Sequence, residues 1–377
     1  MKFTVTRTAL LSVLYTTGKV ISGRNTVPIL DYFLFELKGN TLTVTASDLE
    51  TTLISRLEVQ DGTEDATIAV PSKLILDAIK ELPEQLLRIE IDEALQMAVK
   101  WATGHILIPC ASASSYPTIV GTGTDGVYCE IGADVLLSGI NKTIFATADD
   151  DLRPIMGGIY MGIEQSNITF VATDAHKLVK HSASVDASIS SSFVLPRKAA
   201  NMMRTLLLKE DDFVKMSFDK KNIAFNLKNS TLVCRLIEGN YPNYNAVIPK
   251  CNPYKVSVDR AEFLNAIKRV SVCANKATNL VELSIFNNEI IISAKDIDFS
   301  YSANETVSCS YEGENITIGF KSTFLVEVLS NLDTANVIIE LADCSKAGVF
   351  KPVLACSTEE CSTDTQMLLM PMIINAQ

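Results

Sequence analysis

The chain has 377 residues, enough at roughly 150 per domain for two to three domains with separate cores, which excludes a peptide or a disulfide mini-scaffold. Its 33 Lys and Arg stand against 44 Asp and Glu, a formal charge of −11, so the summed field repels nucleic acid and excludes a generally basic binder. A local basic surface stays open, because screening confines exposed charges to about 8 Å at physiological salt.

Apolar residues make up 47%, yet the longest uninterrupted apolar stretch, 367–374, is far short of the roughly 18 residues a membrane span needs. No membrane segment is expected. The apolar patch 9–15 lies behind Lys2 and Arg7, but Ser12 interrupts it and no small-residue cleavage site follows, so no secretory leader is expected. The nine cysteines are scattered without a C-x-x-C, which fits reduced thiols in the cytoplasm.

In chain order, the pattern opens with a helix marked by Leu10, Leu11 and Leu14, then a strand over 40–48 that ends at Asp48. A strand over 68–73 turns at Pro71 into an amphipathic helix carrying Ile75, Ile79 and Leu82, and an alternating strand follows at 87–91. After the turn formers at 121–126 the series restarts: a helix at Val135, Leu136 and Ile140, a strand ending at Asp174, and a strand over 193–198 that turns at Pro196 into a helix with Met203, Leu206 and Leu207. After 249–253 it restarts again, with a helix at Phe263, Leu264, Ile267 and Val270, a strand ending at Asp296, a strand over 316–321 with Phe320 in the proline's place, and a strand at 337–341. Self-similarity at this period predicts three homologous domains, 1–124, 125–251 and 252–377, each with two helices and many short strands. The fold class is α+β with largely antiparallel sheet.

Projecting each second helix at about 100° per residue sets Lys73 and Lys80 opposite Ile75, Ile79 and Leu82, and Arg197, Asn201 and Arg204 opposite Met203, Leu206 and Leu207. Lys198 sits beside Arg197, Lys321 stands at the corresponding start in the third unit, and Lys268 and Arg269 lie off the apolar face of its first helix. Cations solvate the outer side of many amphipathic helices; their recurrence in an acidic chain points to a surface facing polyphosphate, where contact is independent of sequence and sensitive to salt.

An enzyme needs a site. Asp149, Asp150 and Asp151 with Asp174 and His176 are the nearest thing to a metal-dependent hydrolase, but adjacent carboxylates point in different directions and read as an acidic loop. Only His105, His176 and His181 are available, and there is no H-E-x-x-H, phosphate-binding G-x-x-x-x-G-K-[ST] or G-x-S-x-G. No catalysis, metal or cofactor is expected. Three aspartates at equivalent strand ends suggest turn capping.

The opening Met1-Lys-Phe-Thr-Val5, the loop Arg24-Asn-Thr-Val-Pro-Ile-Leu30, Ala172-Thr-Asp-Ala-His-Lys-Leu178, Leu195-Pro-Arg-Lys198, Tyr241-Pro-Asn-Tyr244 and Met370-Pro-Met372, in this order and in a triplicate frame, resemble the bacterial sliding clamps, the β subunit of DNA polymerase III. The resemblance implies a head-to-tail homodimer closed into a ring of six domains, with helices lining a hole through which duplex DNA threads. It implies a dimer interface at Ile106, Ile108, Val272 and Cys273, where ordinary core packing is the alternative. It also implies a DNA contact at Arg24, whose alternative is a solvated loop arginine; a second contact of the family aligns with Asp150, whose carboxylate repels phosphate. The resemblance further implies a pocket formed by Met156, Thr173, His176, Leu178, Pro242, Val247, Leu368, Leu369, Met370, Pro371 and Met372. Such a pocket takes short peptides from the DNA polymerase III catalytic subunit, the clamp loader and other replication and repair proteins. For the tail, the alternative is a strand packed into its own domain. Ala175, Lys177, Ala246 and the extension 373–377 depart from the family's usual residues. A three-domain protein-interaction scaffold without DNA threading is the other reading.

Overall fold

Strict alternation builds the strands. In Tyr32–Lys38 every second side chain, Phe33, Phe35 and Leu37, is buried, as a half-covered sheet with a two-residue period requires. The computed structural model describes residues 1–377 except 22, 24, 26, 118–125, 151, 188, 354–362 and 375–377. Among the described residues there are six helices: α1 (Arg7–Gly18), α2 (Ser72–Lys80), α3 (Ala133–Thr143), α4 (Arg197–Leu207), α5 (Arg260–Val270) and α6 (Ser322–Ser330). None is long and apolar enough to cross a membrane. Every named strand pair is antiparallel, so the α+β class holds.

Local chemistry explains where the helices start and stop. Thr6 and Asp259 cap α1 and α5 by accepting the backbone N–H of Ala9 and Glu262. Arg7, the first residue of α1, donates from Nε and Nη2 to the carbonyls of Ile79 and Lys80 at the end of α2 (3.1 and 2.6 Å). Arg260, the first residue of α5, does much the same for α6, donating to the carbonyls of Leu329 at its end (3.2 Å) and of Thr334 in the loop beyond (2.7 Å). The two helices of the first and third repeats are thus laced by one device, a cation on the open carbonyls of a helix C-terminus. The middle repeat has Ala133 there.

The aspartates cap their turns. Asp48 Oδ1 accepts from Glu50 and Thr51, Asp174 Oδ1 from His176 and Lys177, and Asp296 Oδ1 from Asp298 and Phe299. Leu49 and Ala175 sit in the left-handed region at φ 75° and 74°.

The chain forms two compact units that do not coincide with its repeats. One comprises Met1–Leu137 and Asn201–Leu236, the other Ser138–Ala200 and Ile237–Gln377. In the first, a sheet of Lys2–Thr6, Leu86–Ile91, Gln96–Trp101 and Gly104–Pro109 accompanies a nine-stranded sheet. That larger sheet is continuous because Thr51–Glu58 of the first repeat pairs with Ser230–Arg235 of the middle one, Leu53 opposite Leu232. In the second unit, a twelve-stranded sheet is joined the same way: Lys177–Ser184 of the middle repeat pairs with Thr363–Leu369 of the third, Leu178 opposite Leu368. The middle repeat thus gives one sheet to each unit. Both junctions follow one rule, in which the strand after an aspartate turn pairs with the last strand of the next repeat.

Register corrects the repeat alignment by one residue. Tyr32, Gly158 and Leu280 pair with Pro71, Pro196 and Lys321, so Lys321, not Phe320, stands in the prolines' place. The joint expected at 121–126 lies outside the described residues except Gly126, and 249–253 has no regular structure.

Candidate functional site

The residues expected to form a peptide pocket gather in the second unit around the loop after Asn167–Thr173. Thr173 Oγ1 donates to the Lys177 carbonyl (2.8 Å) and accepts from Ala175 N–H (3.1 Å), so the Asp174 turn is tied on both sides. The Lys177 ammonium, almost fully buried, pairs with Asp174 (3.1 Å) and Glu327 (2.7 Å) and lies 4.5 Å from the centroid of the Phe324 ring. His176, exposed above it, stacks on Phe324 at 5.9 Å. Lys321 reaches the same ring, at 4.7 Å.

The tail completes the region. Leu368, opposite Leu178, joins Val171 and Ala347 in a small apolar cluster against Tyr160, Tyr241, Tyr244 and Ile248. Tyr160 lies 5.3 and 5.6 Å from the rings of Tyr241 and Tyr244, and burial pushes both of those hydroxyls above the usual tyrosine range. Beyond the strand, Met370 N–H donates to the His176 carbonyl (2.9 Å) and Met372 N–H to the Gly319 carbonyl (2.8 Å). Met370 and Val247 are exposed, while Met156, Pro242, Pro371 and Met372 are half-buried. Leu369 belongs elsewhere: it points to the opposite face of its strand, into the third repeat's core with Met367 and Phe350. The alternatives for the tail are therefore combined, since 363–369 is a strand of its own sheet and 370–372 borders the site. Sequence reasoning missed Tyr160, Phe324 and Ala347, which long-range pairing brings together.

Of the cationic stripe, Lys73 and Lys80 are exposed on α2 opposite buried Ile75 and Ile79, Arg197 and Arg204 are exposed on α4, Lys198 is half-buried, and Lys268 and Arg269 are exposed on α5. Arg269 is tied to Glu305 (Nε to Oε2, 2.9 Å), which neutralises part of its charge. Lys321 does not belong with them; it precedes α6 and lies on Phe324 in the peptide region. Arg24 and Asp151 lie outside the described residues. Asp150 is engaged by its own loop: it accepts from Leu152 N–H (2.8 Å) and pairs with Arg153 (3.2 Å), and that N–H, then Arg153, holds its carboxyl below the usual carboxylate value.

Among the open strand edges of the described residues, two lie in the first and third repeats. Gly104–Pro109 ends its four-stranded sheet. Tyr301–Tyr311 pairs along 301–308 with Glu289–Asp296, but on its other side meets Tyr254–Asp259 only at Cys309–Tyr311. Ile106, half-buried, and Ile108, fully buried, lie on the inward side of the first edge; Leu107 faces outward. Val272 is 69% exposed in the short turn Ser271–Cys273, and Cys273 is half-buried. The third repeat's open strand is 301–308, with Ile297 exposed and the exposed Phe299 and Tyr301 rings stacked at 6.1 Å. The signal for it was in the sequence, as Ile-Asp-Phe-Ser-Tyr after Asp296.

Three models of one family cover the chain in order: DNA polymerase III beta subunit, N-terminal domain over 1–120, central domain over 130–243 and C-terminal domain over 245–372. The chain belongs to the DNA polymerase III beta subunit family. Membership makes it a processivity clamp of DNA replication. The beta sliding clamp of Pseudomonas putida is 28% identical over 99% of this chain and 100% of its own length, and that of Pseudomonas aeruginosa 29% over 99% and 100%. A crystal structure of the sliding clamp from P. aeruginosa bound to griselimycin superposes with a TM-score of 0.92 at 28% identity, covering 99% of this chain and 100% of that one. The clamp fold, three similar domains each with two helices and antiparallel sheets, is the fold of this chain.

Proposed function

We propose that two copies of the chain close head to tail into a ring around duplex DNA. The repeated strand junction carries this reading. Twice within the chain, the strand after an aspartate turn pairs with the last strand of the following repeat. The third repeat's strand 301–308 and the first repeat's strand Gly104–Pro109 are the two halves of a third such junction, each without its mate. A second copy supplies both mates through heterologous contacts, which close into a finite ring when two copies complete a full turn. Val272, Ile297, Phe299, Tyr301 and Leu107 give the contact its apolar cover; left open, such edges invite aggregation.

In this reading Lys73, Lys80, Arg197, Lys198, Arg204, Lys268 and Arg269 meet phosphates without reading bases, as a sliding tether requires. The region around His176, Leu178, Leu368 and Met370–Met372 takes short peptides from the DNA polymerase III catalytic subunit, the clamp loader and other replication and repair proteins. Methionines suit a site with several partners because they repack. Burying two large apolar side chains contributes about 3 to 6 kcal/mol before ordering costs, short of the roughly 8 kcal/mol of a micromolar complex, so single peptides held by these contacts alone bind weakly. The role is non-catalytic and cytoplasmic, and domain boundaries at 124/125 and 251/252 fit the repeats.

The test is retention on nicked circular against linear duplex with a clamp loader present. A threaded ring leaves the linear form by its ends and stays on the circle; equal loss from both removes the reading. Deleting 370–377 is expected to abolish partner-peptide binding while leaving the dimer.

A further inference from the structure

In each repeat the chain, after its last strand, turns back to one residue of the strand that leads into the second helix. Ala111 pairs with Ala69, Ile237 N–H donates to the Val194 carbonyl (3.1 Å), and Met372 N–H donates to the Gly319 carbonyl (2.8 Å). Register makes Ala69, Val194 and Gly319 equivalent. Two of the three carry side chains, so the position itself tolerates a Cβ. Gly319 is not among the residues of positive φ, so its backbone conformation does not demand glycine either. What demands it is the returning segment. A Cβ on Gly319 would lie 3.0 Å from the Met372 carbonyl oxygen and 2.9 Å from both Ile374 Cγ1 and Leu280 Cδ1. The Leu280 methyl can swing away; Ile374 is on the returning segment itself, and the Met372 carbonyl moves only with the main chain.

We infer that Gly319 is a positioning residue for the peptide site, its bare Cα letting the C-terminal tail seat closely enough to fix Met370–Met372. The inference rests on the peptide-site reading above. The tail is held at two main-chain points, the His176 carbonyl at Met370 and the Gly319 carbonyl at Met372. Lifting the second frees Met372 and loosens the segment after Met370 while leaving the strand Thr363–Leu369 paired with Lys177–Ser184 and Gly348–Pro352. Apart from the Leu280 side chain, substitution at Gly319 therefore acts on the segment that borders the site.

The experiment uses the full chain with Gly319→Ala and Gly319→Val, reading hydrogen exchange at the Met372 amide and affinity for a fluorescent peptide taken from the clamp-binding segment of a replicative polymerase. Exchange at Met372 is expected to accelerate at least tenfold in Gly319→Val and less in Gly319→Ala, with amides of 177–184 unchanged, and peptide affinity to fall in the same order. Unchanged exchange at Met372 overturns the inference. So does recovery of both readouts when Leu280→Ala is added, since that would place the clash in the side chain and not at the tail carbonyl. If Met372 is released but the wild-type chain binds no peptide, the positioning of the tail stands and the peptide-site reading fails.

Discussion

His181 offers a measure of how firmly the middle and third repeats are joined in the second unit. It is buried in Lys177–Ser184 directly opposite Thr365 of Thr363–Leu369, with Nδ1 2.8 Å from Thr365 Oγ1 and Nε2 without a hydrogen-bond partner. Burial, aided by the nearby Lys142 ammonium and opposed by Asp364, depresses its value from 6.5 to about 4. The folded value is therefore below the unfolded one. As pH falls, the unfolded chain takes up the proton first, so the contribution is fully present above about pH 6.5 and is lost between there and pH 4. A gap of roughly 2.5 units at 1.36 kcal/mol per unit sets the whole loss at about 3 kcal/mol, of which about 2 kcal/mol falls between pH 7 and 5. The perturbation is His181→Leu, which keeps an apolar side chain beside Phe170 and cannot titrate. The lone tryptophan, Trp101, lies in the other unit, so hydrogen exchange of the 177–184 amides is the proper probe. The opening free energy is expected to drop by about 2 kcal/mol from pH 7 to 5 in the wild type and far less in His181→Leu. Equal pH dependence in the two proteins would refute the reasoning.

Lys177→Met leaves Asp174 and Glu327 facing each other without their cation. The cost is expected near 2 kcal/mol, under the roughly 3 to 5 kcal/mol of a fully buried pair because Glu327 is 43% exposed, and it is read as a lower melting temperature that Lys177→Arg largely restores. Arg7→Ala removes two hydrogen bonds to helix-end carbonyls, and Arg260→Ala removes one to a helix-end carbonyl and one to the loop beyond it. Each should lower stability by about 1 to 2 kcal/mol in urea titrations, whereas Ala133→Arg in the middle repeat has no such loss to show. Phe299→Asp with Tyr301→Asp puts two carboxylates on the exposed stacked pair. Sedimentation should then report a monomer with unchanged helix content, and a persisting dimer would move the contact away from 301–308.

Much of this architecture was legible because it is local. Alternation marked the strands, and Asp48, Asp174 and Asp296 recur because each accepts the backbone N–H groups of its own turn. What escaped the sequence depends on pairing at a distance. No local signal tells that Ser230–Arg235 adds to the first repeat's sheet, so the middle repeat's division between two units could not be read. Lys321 looked like the start of a cationic stripe because the repeats were aligned one residue out; only register shows it in a proline's place, lying on Phe324. Leu368 and Leu369 were grouped together, but successive residues of a strand face opposite ways, and one borders the site while the other fills a core. Ala175 was noted as a departure from glycine, and at φ 74° it is a strained one.

The strand Thr363–Leu369 lies between Lys177–Ser184 and Gly348–Pro352, so a segment that follows both of its neighbours in sequence is an interior slat of the largest sheet. A ribosome delivers it after everything it must join. Until residue 369 clears the exit tunnel, the second unit has two raw edges and cannot complete its hydrogen-bond ladder. A product cut short anywhere before this slat keeps both edges open and stays unfinished.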